Sequence, residues 1–191
     1  MAIFKGRPLQ RLGVMSTQKN VLREAGTVEE NGLRLAEDKA EQVIDALNTD
    51  LAATYVLYHQ LRKHHWNVEG PEYRDLHLFL GEAAEEAEEA ADELAERVQA
   101  LGGVPIAKMS NLEEHAPVEA EDDDIYDIRT SMSNDMEMYG DIIETVRDHI
   151  ELAENLGDHA SAEMLRQQLL ELEEFAHTIE HFLGEDSLKN W

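Results

Sequence analysis

The 191-residue sequence contains no cysteine. Disulfides, thiolate metal ligands and thiol nucleophiles are therefore excluded, and any metal must be held by nitrogen and oxygen donors. Long apolar runs are also missing. None approaches the roughly 20 residues that a membrane-spanning helix needs, and no continuous apolar segment of the secretory kind opens the chain. A soluble, cytoplasmic protein without membrane contact is expected. No strand-like alternation and no internal repeat is found either. Positive charge is scarce, with 16 Lys and Arg against 42 Asp and Glu and a formal net charge of -26.

The few cations are unevenly placed. Residues 1–23 carry Lys5, Arg7, Arg11, Lys19 and Arg23 with no acid, which leaves 11 basic against 42 acidic residues elsewhere, a net of -31. So much like charge repels itself in dilute buffer, and concentrated salt relieves the repulsion by shortening the Debye length to about 3 Å at 1 M. The composition points to a salt-rich cytoplasm. A body this acidic should reject nucleic-acid phosphates, and at high salt the counterion release that drives nonspecific DNA binding is weak. Only the basic N-terminal stretch argues the other way, and a start at Met15 would remove part of it. Direct DNA binding is not expected.

What the sequence does have is helical periodicity. Residues 1–36 mix Gly, Pro and polar residues without a sustained pattern and read as an N-terminal tail, mobile or loosely attached. From Glu37 to about His65, near-apolar positions recur at three and four through Ile44, Leu47, Leu51, Thr54, Tyr58, Leu61 and His65. The tract Asn67-Val68-Glu69-Gly70-Pro71 ends that helix, and a second runs along Leu76, Leu80, Ala83, Ala87, Ala91, Leu94, Val98 and Leu101 to Gly102-Gly103. A long linker follows, with Asn111-Leu112-Glu113-Glu114 as a short helical turn. A third helix is expected from about Asp123 to Asn155, using Ile125, Ile128, Met132, Met136, Tyr139, Ile143 and Val146. The fourth spans about Asp158 to Leu183, and residues 184–191 form a C-terminal tail. Two helical hairpins joined by a long crossover that carries a short helix describe an all-α, ferritin-like four-helix bundle over residues 37–183.

Nine histidines and many carboxylates supply metal donors, and a few sit where they could act together. His65 takes the next slot of the first apolar stripe, where a lone histidine is more often a hydrogen-bonded core residue. Its company changes that weighting. The short turn after Asn67 brings His65 towards His77 on the second helix, while Asp92 and Glu96 share one face of that same helix. His77 and Asp92 are 15 residues apart, which on a helix is about 22 Å, far beyond a coordination bond of roughly 2 Å. If the four belong together, two chains must meet, histidines of one facing carboxylates of the other, and a two-fold axis would make two such sites at once. Mixed imidazole and carboxylate donors suit ferrous iron, with zinc and manganese as competitors.

His65-Trp66-Asn67-Val68-x-Gly70-Pro71, then Leu76-His77, then Asp92-x-x-x-Glu96-Arg97-x-x-x-Leu101-Gly102-Gly103-x-Pro105 resembles the signature of the Dps family, the mini-ferritins of DNA protection during starvation. The resemblance covers about residues 37–183. It implies a dodecameric hollow shell of identical subunits that oxidises Fe(II) at two-fold interfaces, usually with hydrogen peroxide, and stores the product as ferric mineral, limiting Fenton damage to DNA. His65, His77, Asp92 and Glu96 match the family's ferroxidase ligands one by one. The family commonly has an acid four residues after the second histidine, where this chain has Gly81 followed by Glu82. Trp66 reads either as a radical trap in the family's manner or as a plain interface anchor.

Further acids invite weighing. Glu82, Glu86 and Glu89 lie in the crowded acidic face of the second helix and could nucleate mineral if that face lines a cavity, although an acidic solvated face explains each equally well. Glu154, Asp158 and His159, at the turn between the third and fourth helices, resemble the part of the family that lines pores through which iron enters, where converging negative charge draws in cations. Glu174 and His177 form one E-x-x-H on the fourth helix. No second copy exists in the sequence, so an intrasubunit di-iron centre is disfavoured and a surface role for His177 preferred. Two other functions remain open from sequence: a DNA-compacting nucleoid protein acting through its basic arm, and a metal buffer that holds zinc without oxidation.

Overall fold

The computed structural model describes residues 20–184. Five helices follow one another: α1 (Glu37–Asn67), α2 (Tyr73–Ala100), α3 (Met109–His115), α4 (Ile128–Leu156) and α5 (His159–Leu183), with no strand among the described residues. α1 pairs with α2 and α4 with α5, α1 packs on α4 to join the two hairpins, and α3 lies against α1. This is the ferritin-like arrangement expected from the sequence, with α1 starting at Glu37 and α5 ending at Leu183. None of the described helices is long and apolar enough to cross a membrane.

The stripes read from sequence become the core. All eight positions from Leu76 to Leu101 are buried, as are Ile44, Leu47, Leu51 and Leu61 of α1. α4 contributes Met132, Tyr139, Ile143 and Val146, and α5 contributes Ala162, Leu165, Ala176 and Ile179. The third expected helix needs correcting at its start. α4 begins at Ile128, because the Asp127 carboxylate accepts the Arg129 and Thr130 N–H groups, each at 3.1 Å, and caps the helix there. Ile125, counted in the stripe, consequently stands 68% exposed in the crossover.

Glycines set the two sharp stops. α4 ends at Gly157 (φ 84°), where the Asp158 N–H donates to the Ala153 carbonyl at 2.9 Å, a left-handed helix end. α2 ends before Gly102 (φ 95°), and a Cβ there would come within 2.2 Å of the Glu29 carbonyl oxygen. Glu29 belongs to the segment expected to be a loosely attached tail. Its N–H donates to the Gly102 carbonyl at 3.0 Å, and Arg23 reaches the Gly103 carbonyl at 3.1 Å and Glu29 at 2.7 Å. Val28 and Leu35 pack against the core. The described part of that segment is thus a strap across the end of α2. Residues 1–19 and 185–191, which hold most of the basic stretch and nearly all of the expected C-terminal tail, lie outside the described residues.

Candidate metal centre

The α1–α2 turn brings two imidazoles face to face. The rings of His65 and His77 stack with centroids 3.8 Å apart and planes 18° from parallel. Each hydrogen-bonds the other residue's backbone: His65 Nδ1 lies 2.7 Å from the His77 carbonyl, and His77 Nδ1 lies 2.8 Å from the His65 carbonyl. A carbonyl only accepts, so both Nδ1 atoms carry the proton and both Nε2 atoms present a free lone pair when the rings are neutral. Two neutral rings held in this way present two nitrogen donors of the kind a metal can take. Tyr73 also stacks on His77, with centroids 5.1 Å apart.

Gly81 lies under this stack, one turn beyond His77. A Cβ at Gly81 would sit 3.2 Å from His65 Cε1 and 3.3 Å from its Nδ1. The departure noted in the sequence therefore has a steric side: a side chain at 81 competes with the His65 ring for space. Trp66, Tyr73 and Leu78 are exposed around the histidines, Trp66 by 70%, so this edge presents apolar surface beside the two donors. Asp92 and Glu96 are also exposed, on successive turns of α2. Among the described residues of one chain, no three His, Asp or Glu side chains converge to hold a metal.

Next to His65, His64 does something different and is buried. Its Nδ1 is 2.8 Å from Asp135 Oδ2 and its Nε2 is 2.9 Å from Glu121 Oε2. With an acceptor on each nitrogen, both must donate, which makes the ring an imidazolium. Burial opposes that charge, but the hydrogen bonds and fields of Asp135 and Glu121 outweigh it and hold the His64 pKa above its ordinary value. Burial likewise raises Glu121, but hydrogen bonds from Lys63, Asn134 and His64 prevail and lower it. Gln60 donates to the other Asp135 oxygen at 2.9 Å. The network ties the crossover and α4 to the end of α1, and so braces the turn that carries the histidine pair. Sequence reading missed it. The signal was there in the spacing of Leu57, Gln60 and His64, which continue one buried helical face.

The other singled-out residues fall into separate places. Glu82 and Glu89 are exposed, whereas Glu86 is partly buried and its carboxyl is raised, by burial first and then by Glu171, Glu89 and Glu93. Glu171 comes from α5, so acids of two helices crowd this spot. Glu154 is exposed and paired with Arg166, and His159 is exposed at the first position of α5. Asp158 does not share their exposure. It accepts from Arg97 at 2.7 Å and from the Ser161 N–H at 3.1 Å, capping α5 with its carboxylate turned inward. Glu174 and His177 are both exposed on α5.

Comparison with known proteins agrees with this architecture. Residues 44–188 match the family described as a ferritin-like domain. The DNA protection during starvation protein of Halobacterium salinarum is 68% identical over 175 residues, spanning 91% of this chain and 96% of the relative. The crystal structure of an archaeal Dps homologue from Halobacterium salinarum superimposes with a TM-score of 0.87 at 67% identity, covering 92% of this chain and 98% of that one. A Dps protein from Vibrio cholerae O1, a member of a broad superfamily of ferritin-like diiron-carboxylate proteins, gives a TM-score of 0.77 at 28% identity, covering 83% and 99% of the two chains. The chain thus belongs to the ferritin-like proteins, and within them to the Dps family.

Proposed function

We propose that this protein is a cytoplasmic ferroxidase and iron store. It assembles from identical subunits into a hollow dodecamer, oxidises Fe(II) with hydrogen peroxide where two subunits meet, and deposits ferric mineral inside. The observation that carries the reading is the reciprocal hydrogen bonding of His65 and His77, which turns both Nε2 lone pairs outward at an exposed apolar edge. With Asp92 some 22 Å along the helix by its spacing, the carboxylate donors come from the partner subunit, and docking of a second copy covers Trp66 and Leu78 as it completes the site. Iron is the substrate. One peroxide takes one electron from each of two ferrous ions and leaves as hydroxide or water, and open coordination positions admit it. Glu86 and Glu89, with Glu171 nearby, are the acids we place at mineral nucleation. Glu154 and His159 remain as acceptors of incoming cations at the α4–α5 turn, with Asp158 acting behind them through the helix cap.

The test uses complementation. Anaerobic Fe(II) followed by peroxide at high salt should give fast oxidation, with ferric iron co-eluting with a large assembly. His65→Ala and Asp92→Ala should each abolish the acceleration and leave the assembly intact. Co-assembled in equal amounts, the two variants should recover about a quarter of the sites, because in each mixed pair one site has all its ligands and the other lacks both His65 and Asp92. No recovery on mixing would refute a site shared between chains. The second reading, DNA compaction, is favoured by the cations in residues 1–23 and by the name of the Halobacterium relative. Gel retardation at multimolar salt separates it, since a nucleoid protein must bind at the ionic strength of its own cell.

A further inference from the structure

Two histidines outside the inter-subunit site face one another on α5. His177 and His181 are one turn apart, their Nε2 atoms lie 3.1 Å from each other, and their ring centroids are 4.4 Å apart. Two nitrogen lone pairs at that distance repel unless a proton or a cation lies between them. With metal–imidazole bonds of about 2.0–2.1 Å, two nitrogens bound side by side at one ion sit about 3 Å apart. The observed separation is that bite. Histidines at i and i+4 supply it for the same geometric reason that an H-E-x-x-H helix binds zinc. Glu180 Oε2 lies 3.5 Å from His177 Nδ1, where a carboxylate favours the tautomer that leaves Nε2 free.

We propose that His177 and His181 form a bidentate site for a divalent transition cation of the zinc or copper(II) kind, with water filling the remaining positions. Imidazole donors suit these ions and not magnesium or calcium. The site lies within one helix of one chain, so it needs no second subunit and does not rest on the ferroxidase reading. With two protein donors in place of three or four, it exchanges its ion readily. Phe182, next along the helix, packs on Phe79 with centroids 5.5 Å apart, so the site stands beside the segment of α2 that carries His77.

The probe is zinc chloride, titrated calorimetrically into the assembled, iron-free protein at high salt. In a His65→Ala/Asp92→Ala background one zinc per subunit should still bind. Adding His177→Gln and His181→Gln should remove that class or weaken it by about tenfold or more, with elution volume and helicity unchanged because both rings are exposed. A measurement without substitution accompanies it: zinc should protect His177 and His181 of the wild-type protein from diethyl pyrocarbonate, read by peptide mass spectrometry. Unchanged zinc binding in the quadruple variant, or absence of protection, overturns the site and leaves the pair sharing only a proton.

Discussion

A methyl group at position 81 is enough to test how the His65 ring is held. The ring is fixed by its Nδ1 bond at 2.7 Å and by the stack on His77, so it cannot yield the few tenths of an ångström that a Cβ 3.2 Å away demands without loosening one of them. Gly81→Ala should therefore slow peroxide-driven iron oxidation by roughly tenfold, as loss of ligand orientation does at metal sites generally. Gly81→Asp, which restores the family's acid, should be no faster than Gly81→Ala. Stopped-flow absorbance of ferric iron measures both, and an aspartate variant faster than wild type would show that the chain merely lacks a ligand. A second residue-scale test concerns His149, whose Nδ1 donates to buried Asp50 at 2.8 Å. Burial opposes its charge, but Asp50, Asp148 and Asp45 outweigh burial and raise its pKa from 6.5. The folded state then holds this proton more tightly than the unfolded one, so the stabilisation is complete below about pH 6.5 and is lost as pH rises through the folded value. The thermal midpoint at high salt should fall as pH climbs through that window. His149→Gln should flatten part of the slope, the remainder belonging to His64, which is raised in the same direction; an unchanged slope would remove His149 from the account.

Helix ends divide what was legible in the sequence from what was not. Periodicity located the buried face of α2 without error, because burial there is a matter of apolar spacing alone. The start of α4 was misplaced because Ile125 has the right spacing while the decision belongs to backbone N–H groups donating to the Asp127 carboxylate, which hydrophobic patterning does not register. The strap was missed for a similar reason: its anchors are the Glu29 and Gly102 backbones and one arginine, and backbone pairing leaves little trace in composition. The histidine pair was legible as proximity, and its tautomer was not, because that follows from the two carbonyls. Paired glycine substitutions expose the difference between an end that is only conformational and one that is also a contact. At Gly157 no neighbouring atom lies within 4 Å of the place a methyl would take, so only the left-handed backbone opposes a side chain. Gly157→Ala should cost about 1 kcal/mol and leave iron oxidation unchanged. At Gly102 the Glu29 carbonyl blocks the Cβ as well, so Gly102→Ala should destabilise more and detach the strap. Denaturant midpoints rank the two, and limited proteolysis should find the segment before α1 newly cleavable only in the Gly102 variant.

At the scale of the whole molecule, charge sets the conditions under which any of this operates. In the proposed shell a subunit carrying -26 joins others like it, and every contact between them brings like charge together. Local ion pairs such as Arg97 with Asp158 and Lys63 with Glu121 join elements within one chain and are too few to neutralise 42 acids. Screening has to come from solvent. Between about 1 M and 0.01 M salt the Debye length grows from roughly 3 Å to 30 Å, from less than a side chain to more than the distance between adjacent helices. Lowering the salt should therefore loosen the assembly before it unfolds the bundle, whose cores are apolar. The two proposed metal sites should respond differently to that loosening. An iron site completed by a partner's Asp92 and Glu96 should vanish as subunits separate, whereas zinc on His177 and His181 needs only α5 intact. Sedimentation velocity, oxidation rate and zinc binding measured together along a falling salt series should show mass and oxidation declining in step while zinc binding and helicity persist. Oxidation that survives in dissociated subunits would place all the iron ligands in one chain, against the 15-residue spacing of His77 and Asp92. A shell that stays whole in dilute buffer would mean that the apolar edge around Trp66 outweighs the repulsion.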